Sequence, residues 1–202
     1  PDNVVRAFVE EAASSGIDIF RIFDALNYIP NMELAIEEVI KAGKIAETSI
    51  CYTGDVLSPT EDKYTLSYYV DLAKELEKRG AHILNIKDMA GLLKPSSARA
   101  LIKALKDHVG IPIHLHTHDT SGNGVAMYLM ACEAGVDVID CALSSMAGLT
   151  SQPSLNAVVT ALQNDPRQPE LDVASLQRLS DHWETLRELY YPFESGLKAS
   201  TT

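Results

Sequence analysis

Basic residues, paired cysteines, long apolar runs and glycine-rich turns are all scarce in this chain. Lysine and arginine together number 17 against 28 acidic residues, a formal net charge of −11. So acidic a chain is poorly suited to nucleic acid or to an anionic membrane as a general partner. Three cysteines, Cys51, Cys132 and Cys141, are an odd number without C-x-x-C spacing. Each lies in an apolar context, which points to reduced thiols in a reducing, intracellular compartment rather than a disulfide framework. No run of about eighteen apolar residues and no signal-peptide pattern occurs, so a soluble protein is expected. Position 1 is not methionine: Pro1-Asp2-Asn3 passes straight into a helical pattern of Val4, Val5, Phe8, Val9 and Ala12. Such a start is expected of a chain cut from something longer.

What is present is enough apolar content for a sizeable core, 46% of residues, arranged in alternating strands and helices. Apolar β-branched runs at Ile17–Asn27, Ile45–Tyr52, Ala81–Gly91, Ile111–Gly122 and Val136–Ser145 alternate with helical patterns. The helices are expected from the start to Gly16, from an Asn31 cap to Gly43, from Thr60 to Arg79, and from Pro95 to Gly110. Three more run from Gly124 to Ala134, from Pro153 to Gln163, and from Val173 to Tyr190. Strand–helix repetition is the unit of a parallel sheet, and near-continuous apolar strands fit burial on both faces. A doubly wound nucleotide fold should carry a Gly-rich phosphate turn, and no G-x-G-x-x-G or P-loop is found. Each strand instead ends in polar or titratable residues, as in barrel enzymes. The expected fold is therefore α/β of the (β/α)₈ TIM-barrel type. A whole barrel takes about 250 residues, so 202 residues suit about the last five βα units. Residues 1–164 are read as that partial barrel, and 165–202 as a linker, a helix and a tail.

Two stretches carry chemistry. In IPIHLHTHDTSG, strand alternation puts His114, His116 and His118 on one face. Same-face neighbours lie roughly 6–7 Å apart, so two imidazoles can converge on one ion. Hydrogen-bonded core histidines are the alternative. In ILNIKDMAG, Lys87 shares a face with Ile83 and Asn85, one step from the end of a buried strand. It must snorkel, pair with an acid such as Asp24, or lose its charge and react with a carbonyl or carbon dioxide.

The motifs RIFDALN, SICYTGD, IKDMAGLL, HLHTHDTSG, SSMAGLTSQPS and the ending FESGLKA resemble the biotin-dependent carboxyltransferase domain of the pyruvate carboxylase family. The resemblance implies a divalent ion, zinc or manganese, held by Lys87 as a carbamate with His116 and His118. It implies that Asp24, Cys51 and Met89 line the pocket for pyruvate and biotin, and that His114 and Asp119 support the ligands from behind. It also implies biotin on a carrier domain, a tetrameric assembly, and the bacterial cytoplasm or the mitochondrial matrix. The family's aspartate ligand, in an R-D-A-H-Q-S type of motif, is missing from this sequence, as is the Met-Lys-Met biotin signature. Its pyruvate-binding arginine and proton-moving threonine are also missing, and Thr201 and Thr202 are not placed to act as the latter. The fragment alone is therefore expected to be inactive. Related biotin-dependent decarboxylase or transcarboxylase subunits, and metal-dependent aldolase, lyase or acyl-condensing barrels, remain as alternatives.

Overall fold

The computed structural model of the chain describes residues 1–194. Five strands, β1 (Ile19–Phe23), β2 (Ile45–Cys51), β3 (Ile83–Asp88), β4 (Ile113–Thr117) and β5 (Val138–Ile139), form one all-parallel sheet in sequential order. Helices α1 (Asp2–Ser14), α2 (Pro30–Lys41), α3 (Leu66–Lys78), α4 (Pro95–Lys106), α5 (Gly124–Glu133), α6 (Leu155–Ala161) and α7 (Val173–Glu188) alternate with them. A doubly wound sheet reverses its strand order at a switch point; this sheet does not.

Strand parity divides the sheet into two faces of opposite character. Phe20, Ala46, Ile50, Tyr52, Leu84, Ile86, Ile113 and Leu115 are buried in the single apolar core shared with the helices. The other parity presents Arg21, Glu47, Ser49, Cys51, Asn85, Lys87, His114 and His116. The sheet must also curl. Five strands about 4.8 Å apart would hold β1 and β5 roughly 19 Å apart if flat. Yet the Arg21 guanidinium of β1 donates to Asp140, just beyond β5, at 2.9 Å. Those side chains together span about half that gap. The polar face is therefore the concave one, the inside of a barrel arc.

The structure corrects several sequence-based boundaries. Asn31 does not cap α2, which begins at Pro30; its amide instead donates to Asp24 at 2.9 Å. The third helix starts six residues later than Thr60, where the Thr65 hydroxyl accepts from the Tyr68 N–H. The fourth stops at Lys106, short of Gly110. The sixth starts at Leu155, capped by Ser154 accepting from the Ala157 N–H. The fifth strand holds only two residues, because from Asp140 the chain turns toward a 3₁₀ turn at Ser144–Met146. Ser195–Ala199 of the FESGLKA ending, with Thr201 and Thr202, lie outside the described residues.

The β1–α2 turn is tied to the neighbouring strand by one side chain. Asn27 sits in the left-handed region at φ 57°. Its amide donates to the Cys51 carbonyl at 2.9 Å and accepts from the Cys51 N–H at 2.7 Å. It thereby stands in for the peptide that β1 no longer supplies, and Asn tolerates this conformation better than most residues. Asn27→Ala should lose about 2–3 kcal/mol of stability, from two hydrogen bonds to a buried segment. Urea unfolding measures it; a loss under about 0.5 kcal/mol, within the range of ordinary surface substitutions, would show the bridge to be dispensable.

Candidate metal centre

The register places three of the sequence-predicted residues in one row across the concave face. Cys51 is level with Lys87, and Lys87 with His116. All three lie at the C-terminal ends of their strands, where barrels build their sites. His118 follows one turn of the alternation later, just past β4.

The two imidazoles face each other through Nε2, at 3.3 Å. On their far sides, His116 Nδ1 meets the Asp140 carboxylate at 2.7 Å and His118 Nδ1 meets the Thr150 carbonyl at 2.6 Å. Neither acceptor can donate a proton, so each Nδ1 carries the N–H and, in a neutral ring, Nε2 carries the lone pair. Two lone pairs opposed at this range need a shared proton or a shared cation. Two nitrogens each about 2.0–2.1 Å from one zinc-like ion, at an angle of roughly 105–110°, stand about 3.3 Å apart. The pair therefore fits a tetrahedral ion. Among the described residues no trio of His, Cys, Asp and Glu side chains converges on one point. A third protein ligand in this chain must come from another residue type.

Beneath the pair lies a network that spans the arc. His114 Nε2 meets Asp140 at 2.8 Å, and its Nδ1 lies 3.2 Å from Glu47. Arg21 donates to Glu47 at 2.6 Å and to Asp140 at 2.9 Å. Burial alone would lower the pKa of His114, but Asp140 and Glu47 at its two nitrogens outweigh this and push it up to about 9. Burial would raise Asp140; hydrogen bonds from His114 and His116 and the charge of His114 instead hold it well below the usual carboxylate range. Arg21 and His114 thus sit between Glu47 and Asp140 in one charged network under the histidines, with an Arg21 nitrogen also 3.2 Å from His114 Nδ1.

The remaining predicted residues take individual positions. Lys87 places its ammonium over the Phe23 ring, 5.0 Å from the centroid. Asp24 does not pair with it: the Asp24 carboxylate accepts from the N–H groups of Leu26 and Tyr28 and from Asn31. The Cys51 thiol donates to the backbone carbonyl of Asp24 at 3.5 Å, and burial pushes that thiol up in pKa, against the charge of Lys87. Met89 is exposed at the strand end. His114 lies beneath the pair, on the same face of β4. Asp119 does not sit behind a histidine; it accepts from the Gly124 N–H at 2.8 Å, at the start of α5. Asp140 and the Thr150 carbonyl take that place. Arg21, Glu47 and Asp140 were missed as site residues, although a charged residue inside an apolar strand was a readable signal at the first two.

Residues 8–182 match the family model described as HMGL-like. Pyruvate carboxylase of Bacillus subtilis is 57% identical over the whole chain, which spans 18% of that protein. Human mitochondrial pyruvate carboxylase is 49% identical over 96% of the chain, spanning 17% of that protein. The carboxyl transferase domain of Rhizobium etli pyruvate carboxylase, solved with pyruvate, superposes with a TM-score of 0.97 at 52% identity. That match covers 98% of this chain and 34% of the solved one. The same domain solved with pyruvate and biocytin matches equally well. The five-stranded arc is thus an α/β fold of the carboxyltransferase barrel type. Among the described residues no helix is long and apolar enough to cross a membrane.

Proposed function

The chain belongs to the HMGL-like family, and on that premise we propose that it is the metal-bearing part of a carboxyltransferase barrel that makes oxaloacetate from pyruvate. The observation that carries this reading is the opposed Nε2 pair at 3.3 Å, level in register with Lys87. His116, His118 and Lys87 as a carbamate would hold a zinc or manganese ion. When bound, such an ion supplies a Lewis acid that favours the enolate of a keto acid. A lysine converted to a carbamate brings anionic oxygens to the row without setting a second cation beside the metal.

This chain's own residues orient and enclose. Asp140 and the Thr150 carbonyl keep both Nε2 atoms aimed at one point, and Phe23 and Cys51 flank Lys87 beside them. Excluding water there protects carbon dioxide released from carboxybiotin until it meets the pyruvate enolate. Biotin would arrive on a carrier domain, in a tetramer of the whole enzyme, within the bacterial cytoplasm or the mitochondrial matrix.

The test is transplantation. Replacing the matching segment of the Bacillus subtilis enzyme with this chain should retain oxaloacetate formation from pyruvate. Lys87→Ala in that chimera should reduce it by about a hundredfold or more. The chain by itself, without an aspartate ligand, serves as the inactive control. A folded, biotinylated chimera without turnover would overturn the proposal. An unmodified Lys87 far from a bound ion, in a crystal structure, would instead favour an aldolase, lyase or acyl-condensing barrel.

A further inference from the structure

Helix α7 follows the last βα unit of the arc, yet it grips the segment that orients His118. The Ser180 hydroxyl of α7 accepts from the Ser145 N–H at 3.0 Å and shares a hydrogen bond with the Ser144 hydroxyl at 2.6 Å. About two turns further along, Arg187 donates to the Ser145 carbonyl at 3.0 Å. Its guanidinium is held for this by Glu194, at 2.6 and 3.3 Å. Ser145 and Ser180 are both buried, so the bond from the Ser145 N–H to Ser180 is shielded from exchange with water.

From Ser145 to Thr150 the chain has little freedom to absorb a displacement. Gly148 and Leu149 both occupy the left-handed region, at φ 85° and 55°. A branched side chain is costly there and persists only where its surroundings hold it. The Gly148 N–H donates to Gln152 and its carbonyl accepts from Ser151, both at 2.9 Å, closing a tight loop. The loop meets the site at two neighbouring points: Thr150 accepts from His118 Nδ1, and the Ser151 carbonyl accepts from the Asp119 N–H at 2.8 Å.

We propose that α7 is a positioning element for His118, with Ser180 and Arg187 holding the Ser144–Ser151 segment whose Thr150 carbonyl fixes the imidazole. The metal part of this inference rests on reading His116 and His118 as ligands; the tautomer part does not. With α7 docked, His118 is held as the Nδ1–H tautomer and offers Nε2. With the Ser145 anchor released, the Thr150 carbonyl moves and both tautomers are populated. A helix lying after the barrel arc thereby acts on the geometry of a residue inside it.

The test uses the full 202-residue chain, with ¹⁵N-labelled histidine and no metal, followed by titration with Co²⁺. Wild-type His118 should show a single Nδ1–H tautomer. Ser180→Ala and, independently, Arg187→Met should show a mixture, with the Co²⁺ dissociation constant raised about three- to tenfold. Asp172→Ala is the control: it removes the carboxylate cap at the N-terminus of α7, where Asp172 accepts from the Ser175 N–H at 2.8 Å, and should change neither readout. A single His118 tautomer with unchanged Co²⁺ affinity in both loop-side variants would overturn the proposal, as would an equal response to Asp172→Ala. A wild-type chain that binds no Co²⁺ would instead count against the metal reading, and the tautomers would still decide the role of α7.

Discussion

Asp140→Asn should weaken divalent-metal binding by this chain about 10- to 100-fold, the usual effect of removing a carboxylate behind a ligating histidine. The two oxygens of Asp140 accept from three donors, His114, His116 and Arg21. Asparagine offers one acceptor oxygen and turns an N–H₂ group toward the rest. If the oxygen stays with His116 and Arg21, which share one position, His114 loses its partner; if it swings to His114, both Arg21 and His116 Nδ1 are freed and His116 Nε2 no longer carries a fixed lone pair. The network also loses one negative charge, leaving Arg21 and His114 with Glu47 as their remaining carboxylate beneath an incoming dication. Competition between the chain and a chromophoric chelator for Zn²⁺ would measure the change. An affinity within about twofold of wild type, some 0.4 kcal/mol, would mean that Asp140 serves the sheet and not the histidines.

Gly91→Ala should lower stability by about 2–4 kcal/mol, because two penalties coincide. Gly91 lies at φ 66°, where an L side chain is strained. A Cβ there would also stand 2.6 Å from the His118 carbonyl and 2.7 Å from the Thr120 hydroxyl. The first of these is backbone and cannot rotate away, so the β3–α4 loop or the residues after β4 must move. Thr120 already donates to the Ala90 carbonyl, so both sides of the contact are committed. Urea denaturation gives the stability change, and His118 imidazole shifts give its local consequence. A loss below about 1 kcal/mol would show that the two loops are not in fixed contact.

This close approach joins two motifs that were readable separately. IKDMAGLL and HLHTHDTSG each announced a strand ending in functional groups, and the alternation rule correctly put Lys87 on one row and His116 with His118 on one face. That much is legible because strand parity is a local property of the backbone. The facing of His116 and His118 was legible for the same reason. His114 lies beneath that pair, since a residue two steps deeper on the same face lies further from the strand end.

The partners behind the ligands were harder to read. The resemblance implied Asp119 as the carboxylate behind His118, but adjacent residues in an extended segment point to opposite sides. Its oxygen went to the start of α5. Asp140 shares the parity of Val138 and so could have been placed on the concave face; its distance from the histidines could not. Asp24 was weighed as one possible partner for Lys87, and the turn after β1 consumed it locally. The strand assigned to Val136–Ser145 is the clearest overreach, because apolar content continues past the point where ladder pairing ends.

By itself the sequence determined the α/β alternation, the apolar and polar faces of the strands, and the identity of two histidines and a lysine at their ends. All of these follow from periodicity and residue chemistry over a few neighbours. Only the tertiary structure decided that Arg21 and Asp140, on opposite edges of the sheet, meet at 2.9 Å. It alone decided that Thr150, brought in by a loop that α7 holds, completes His118. The reason is curvature: how far a sheet curls is the sum of many small twists and helix contacts, none of which is written in any single stretch of the chain.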